Sequence, residues 1–216
     1  MDSFQKNIQS GYDMVAADYT RRFLNEQDQK PMDQQMLRRF AEDVRGKGPV
    51  CDLGCGPGMI AAWLQDHCAL NDLLGVDLSS RFVEEARKLH PRIEFHQGDM
   101  LALDFPADSW AGVTAFYSLI HIPRERVVEA LKEIHRVLKP GGLLLLTFHI
   151  GSDMLHVEEF LDQPVNMDFL YFETGEMEGY LREAGYVGIE SYERDPYAPE
   201  VEYQSRRAYI FGRKKH

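Results

Sequence analysis

Cysteine is scarce in this chain: Cys51, Cys55 and Cys68 are the three present in 216 residues. They form no C-x-x-C pair and have no histidine at zinc-ligand spacing, which argues against a structural zinc site or a disulfide framework. Reduced, mostly buried thiols and a cytoplasmic setting are expected. No apolar run approaches the ~20 residues that cross a bilayer, and MDSFQKNIQSGYDM lacks the apolar core of a signal peptide. Positive charge is also short. Lys and Arg number 24 against 35 Asp and Glu, a net charge of −11. That balance argues against a nucleic-acid partner, which needs basic patches to neutralise phosphate. The basic end GRKKH is short and reads as solvated. Repeats and low-complexity linkers are missing, so one domain over residues 1–216 is expected. No His/Asp/Glu cluster has ligand spacing, so no metal is expected.

The chain has alternation instead. Residues 49–53, 73–77, 93–97, 110–116 and 142–148 read as buried strands. Helical patterns lie between several of them. Val127, Leu131, Ile134 and Leu138 mark one face of a helix that starts after Pro123 and stops at KPGG. Strands alternating with helices predict a doubly wound, Rossmann-like α/β sheet, mostly parallel. Residues 186–193 and 203–212 leave no room for a crossover helix, so they are expected to close it as an antiparallel hairpin. Two helices, around 4–24 and 31–45, precede the first strand, and the segment RDPYAPEVEYQSRRAY (194–209) reads as a surface turn.

The stretch VCDLGCGPG places Gly54, Gly56 and Gly58 directly after Asp52. In such a sheet, ligands bind beyond the carboxyl ends of the strands. Glycine permits positive φ and a close backbone approach there. The spacing is GxGxG rather than GxGxxG, and no lysine of a phosphate loop follows. Asp52 would repel a pyrophosphate but suit an amino group. Asp77 ends the second strand and can accept two ribose hydroxyls. Asp99 follows the third strand, where it can accept from an adenine amino group with Met100 on the ring. The three strand ends describe an amine, a ribose and an adenine, with no phosphate.

This constellation resembles the class I S-adenosylmethionine-dependent methyltransferases of the small-molecule type, close to methyltransferase domains 11 and 25. VCDLGCGPG, GVDLS, GDM and LKPGG match the family's motifs in order, over roughly residues 45–148 closely and 174–213 loosely. The resemblance implies a seven-stranded sheet and S-adenosyl-L-methionine as cofactor. It implies contacts to that cofactor from Asp52, Gly54, Cys55, Gly56, Gly58, Asp77, Leu78, Asp99, Met100 and Phe116. YDMVAADY looks like the family's segment that folds over the cofactor, which adds Tyr12 and Tyr19 and makes residues 1–45 a helical lid.

Methyl transfer needs mainly placement, so the lack of a catalytic dyad does not argue against an enzyme. Tyr117 and Phe116 are expected to line the reacting end, with His121 as a candidate base. The family's Asn-Pro-Pro-Tyr-like motif for nucleic-acid amines is absent, which favours a small-molecule acceptor. Residues 149–173 are too long for an ordinary connection and are expected to form a cap over the active site. His149 is expected to face the site as the leading base candidate, with His156, Glu158, Glu159, Tyr171 and Phe172 behind it. Three alternatives stay open: an inactive cofactor-binding module or partner subunit, a protein or RNA methyltransferase, and a nucleotide-dependent oxidoreductase, which the glycine spacing disfavours. The acceptor atom and the oligomeric state are not legible.

Overall fold

The computed structural model describes residues 3–216, so residues 1 and 2 of the expected lid lie outside the described residues. The chain opens with α1 (Ser3–Phe23), a short 3-10 turn (Glu26–Gln29) and α2 (Pro31–Val44). Then come β1 (Val50–Leu53), α3 (Met59–Cys68), β2 (Leu73–Asp77), α4 (Ser80–Leu89), β3 (Glu94–Gln97) and β4 (Trp110–Phe116). The second half holds α5 (Val127–Val137), β5 (Leu138–His149), β6 (Met154–Phe160), β7 (Gln163–Leu170), α6 (Thr174–Glu183), β8 (Tyr186–Arg194) and β9 (Arg207–Lys214).

Seven strands form one sheet in the order β3-β2-β1-β4-β5-β9-β8. Strands β1 to β5 are parallel, and β9 runs antiparallel to both β5 and β8. Strand order reverses at β1, which pairs with β2 on one side and β4 on the other, so the crevice beyond its carboxyl end is the natural ligand site. The strands are apolar because helices cover both faces. On one face, Leu131 and Ile134 of α5 and Met177 and Leu181 of α6 pack on Val113, Leu144 and Phe148. On the other, Phe40 of α2, Leu64 of α3 and Val83 of α4 pack on Val50, Leu145 and Phe211. Local chemistry fixes the helix starts: Pro31 opens α2, and Ser79 caps α4 by accepting from the Phe82 amide at 3.1 Å. All three cysteines are free and buried. No helix of the described residues is long and apolar enough to cross a membrane.

Residues 149–173 are not a loop. They fold as an antiparallel hairpin, β6 with β7, in a small sheet of its own. Its two-residue turn is Leu161-Asp162, with φ of 52° and 61°. Such a turn favours Asn-Gly or Gly, and the absence of both hides it in the sequence. The hairpin docks on α1 through β7. Met167 packs against Gly11, where a Cβ would fall 2.5 Å from the Met167 sulfur. That close approach is why α1 carries a glycine in mid-helix.

Candidate active site

A cavity of about 190 Å³ lies beyond the carboxyl ends of β1, β2 and β4, under α1. Of the sequence-predicted site residues, Tyr12, Tyr19, Asp52, Gly54, Cys55, Gly56, Asp77, Leu78, Asp99, Met100, Phe116, Tyr117 and His121 line it. Gly58 and His149 do not.

The three glycines divide the labour of the turn. All have positive φ: 71° at Gly54, 52° at Gly56 and 87° at Gly58. A Cβ at Gly54 would lie 2.2 Å from the Ser118 Cβ, and one at Gly58 would meet the Phe95 ring at 2.7 Å. A Cβ at Gly56 would meet nothing within 4 Å. Gly54 and Gly58 therefore serve packing, with Gly58 seating α3 against β3, while Gly56 leaves an open face. Gly54→Ala is expected to cost about 1–3 kcal/mol from overpacking on top of its left-handed φ, whereas Gly56→Ala carries the backbone cost alone. Thermal melts of the two variants check that order.

The three acids are held differently. Asp52 is buried; its Oδ1 accepts from the Thr114 hydroxyl at 2.9 Å, and its Oδ2 has no partner among the described residues. Burial pushes its carboxyl up to about 7, against the Thr114 bond. Asp77 accepts the Gly56 amide at 2.7 Å and the Ser79 amide at 2.8 Å. Burial raises it to about 6 against those bonds. Asp99 accepts the Leu101 amide at 2.9 Å, and its other oxygen accepts Gln5 Nε2 of α1 at 2.5 Å.

Helix α1 closes the cavity by polar contacts. Besides Gln5, Asp13 accepts the Ser79 hydroxyl at 2.6 Å and the Arg81 amide at 3.1 Å, at the start of α4. Tyr12 packs its ring on Phe82 and donates to His121 Nε2 at 2.7 Å. His121 Nδ1 lies 3.0 Å from the Asp168 carbonyl, which can only accept, so the proton sits on Nδ1 and Nε2 is the acceptor. Burial lowers the imidazole to about 4. Both ring nitrogens of His121 are thus engaged, one by the lid helix and one by the hairpin.

His149 is placed otherwise than the sequence suggests. Its ring lies between Tyr117 and Tyr171, with centroids 5.1 and 5.3 Å away, and its Nδ1 pairs with the Ser205 hydroxyl at 2.6 Å. Burial first, then Arg207 and Lys30, lowers it to about 3. No residue of the hairpin lines the cavity either. His156 pairs with Asp168 at 2.7 Å within the hairpin, Phe172 is packed in the core, and Glu158 and Glu159 are exposed.

The far end of the cavity is polar, and the sequence reading missed it. Gln27, Lys30 and Asp33 line it beside Tyr117, whose φ of 51° turns it off the end of β4. Behind Asp33 stands a buried ion cluster. Asp33 Oδ1 accepts from the Tyr209 hydroxyl and from Arg194 at 3.2 Å. Glu202 holds Arg194 with both oxygens and faces Arg207 at 3.2 Å and Lys30 at 3.7 Å. The 194–209 segment, expected as a mere surface turn, thus sends Glu202 and Arg207 inward. Arg206 faces out and pairs with Glu193 at 2.7 Å, as strand alternation requires. One signal was available for Asp33: it shares the buried stripe of α2 with Met36, Leu37, Phe40, Ala41 and Val44.

Comparison with known proteins agrees with this architecture. The methyltransferase domain family matches residues 50–142. Methyltransferase GfsG of Streptomyces halstedii is 34% identical over 122 residues, which is 53% of this chain and 42% of that protein. The chain spans half or less of the length of the first curated relatives it matches. Among solved structures, an S-adenosylmethionine-dependent methyltransferase of Thermotoga maritima, described as a possible histamine N-methyltransferase, has a TM-score of 0.69 at 20% identity. It covers 96% of this chain and 100% of its own. The [4+2]-cyclase SpnF has a TM-score of 0.69 at 19% identity, with 99% and 97% covered. At such identities the likeness shows the fold.

Proposed function

We propose that this chain is a class I S-adenosylmethionine-dependent methyltransferase, that it binds S-adenosyl-L-methionine under α1, and that it methylates a small-molecule acceptor directly and in line. One observation carries the cofactor reading: the buried Oδ2 of Asp52 has no hydrogen-bond partner of good geometry among the described residues, with only the Ala61 amide near the carboxyl besides Thr114, next to a glycine turn whose middle residue leaves its face open. An unpaired buried carboxylate oxygen is costly, and a ligand ammonium relieves it. Asp77 would take the ribose hydroxyls with its remaining lone pairs. Asp99 would take the adenine amino group once Gln5 gives way, with Met100 on the ring. Tyr12 and Tyr19 cover the ligand from α1, which makes residues 1–45 a lid.

The cofactor supplies a methyl group already activated by its sulfonium. The protein supplies placement, which can contribute about 7–11 kcal/mol, and exclusion of water by α1. The hairpin within 149–173 acts as a cap by bracing α1 and His121 from outside rather than by lining the pocket. With His121 and His149 both neutral and engaged, neither serves as the free base of this reading.

Titration calorimetry tests it. Binding of S-adenosylmethionine and S-adenosylhomocysteine, with none of NAD, is the expected result. Failure of both to bind at millimolar concentration overturns it. A protein of the same fold is described as a [4+2]-cyclase rather than a methyltransferase, so we keep one second reading, a protein that binds the cofactor without transferring methyl. Tight binding of S-adenosylmethionine with no release of S-adenosylhomocysteine across an acceptor screen would favour that one.

A further inference from the structure

Four buried side-chain atoms without a hydrogen-bond partner among the described residues belong to residues that line the cavity: Asp52 Oδ2, Asp33 Oδ2, Tyr117 Oη and Gln27 Nε2. Asp52 is taken up by the proposed cofactor. The other three come from separate elements, the 3-10 turn, the start of α2 and the end of β4, and their residues line the same cavity, with Asp33 within electrostatic range of Tyr117. A buried polar group left unpaired is destabilising, more so when charged. Unpaired groups on three residues lining one cavity point to a ligand that completes them.

Asp33 decides what kind of ligand. It is 1% exposed. A carboxylate serving only as a counter-ion would be met on both oxygens, yet Arg194 and Tyr209 both bind Oδ1 and leave Oδ2 bare. The cations nearby face carboxylates, and Arg207, whose Nε makes no hydrogen bond among the described residues, does not line the cavity. Lys30 lies 2.5 Å from Glu26, Arg194 is held by Glu202, and Arg207 donates to the Tyr203 carbonyl at 2.9 Å and faces Glu202. Among the described lining residues, Lys30 is the single Lys or Arg, against Glu26, Asp33, Asp52, Asp77 and Asp99. An anionic acceptor would meet an unpaired carboxylate oxygen and no free cation. A molecule with an N–H or O–H group would satisfy Asp33, and an acceptor atom on it would satisfy Gln27 or Tyr117.

We propose that Asp33 is the acceptor anchor, and that the acceptor is a small amine or hydroxyl compound that donates a hydrogen bond to its Oδ2, rather than a carboxylate or phosphate. This rests on the methyltransferase reading and narrows it to a substrate class.

The test uses the full chain saturated with S-adenosylhomocysteine and two matched probe sets, butylamine, butanol and butyrate, and benzylamine, benzyl alcohol and benzoate. Ligand-observed NMR reads the affinity of each. The amine or the alcohol of at least one set is expected to bind about tenfold or more tightly than its carboxylate. Asp33→Asn is expected to remove that preference while S-adenosylhomocysteine affinity stays within about threefold. Should Asp33→Asn fail to fold, Tyr117→Phe, which deletes one bare hydroxyl, is expected to weaken the preferred probe several-fold. Carboxylates binding as well as their partners, no amine or alcohol binding at all, or a preference unchanged in the variants each overturns the proposal. Failure of S-adenosylhomocysteine to bind the unaltered protein overturns the methyltransferase reading instead, and the two failures are thereby distinct.

Discussion

Glu202→Leu is expected to lower the melting temperature by about 6–20 °C. The Glu202 side chain is 1% exposed and stands among Lys30, Arg194 and Arg207, which are themselves buried. It also accepts the Tyr197 amide at 2.7 Å. Deleting it leaves three cations with one carboxylate fewer. Breaking a buried pair from one side costs about 3–5 kcal/mol, and each kcal/mol moves the midpoint of a chain this size by roughly 2–4 °C. Arg206→Ala is the control. Its pairs with Glu193 and Asp195 are exposed, and such pairs contribute about 0–1 kcal/mol. A melt followed by circular dichroism separates the two. Equal small shifts would mean that the cluster is not a structural keystone. Because Lys30 and Asp33 form part of the cavity wall, the same variant should also loosen that wall.

The sheet was legible because its signals are local. Apolar runs of strand length, the Ser79 cap, the α5 stripe and the short spacing of the last two strands each dictate one element, and together they dictate the topology. That Asp52, Gly54, Gly56, Asp77 and Asp99 line one cavity was legible for a related reason: they stand at the carboxyl ends of neighbouring parallel strands. Two features were not legible. The β6–β7 hairpin turns through Leu161-Asp162, its outer strand β6 is largely exposed, and β7 buries only Met167 and Leu170, so neither turn chemistry nor an alternating apolar face marks it. The polar wall of the cavity joins Lys30 and Asp33 to Arg194 and Glu202 through side-chain ion pairs, with Asp33 and Arg194 161 positions apart. No periodicity carries such a pairing. Only the acid on the buried stripe of α2, and the paired arginines near the end of the chain, hinted that charge was being taken inside. His149 shows the converse. Its place at a strand end is right, but the neighbouring rings of Tyr117 and Tyr171 take up its side chain.

Asp52→Asn is expected to weaken S-adenosylmethionine binding by about ten- to hundredfold, the worth of a hydrogen bond to a charged group, and to change how binding depends on pH. The free Asp52 carboxyl sits at about 7 because it is buried, well above its ordinary value. Between the two values the folded, ligand-free protein holds a proton that the unfolded chain does not, so this group stabilises the empty fold less as pH rises through that window. An ammonium ligand needs the carboxylate. Affinity in the unaltered protein should therefore rise with pH up to about 7, and fall again once the ligand's α-amino group deprotonates at about 7.7–8.0. In Asp52→Asn the remaining dependence belongs to Asp77, and the plateau should begin near 6. His121 and His149 stay neutral in the folded state down to about 4 and about 3. They add no step to binding in this range, but since the unfolded chain protonates its histidines near 6.5, they lower stability as pH falls below that point. Calorimetry between about pH 5 and 7 thus reads the acids, below the range of about 7.7–8.0 in which the ligand's own α-amino group loses its proton. A flat profile in the unaltered protein, or the same midpoint in Asp52→Asn, would remove Asp52 from the binding of the amino group.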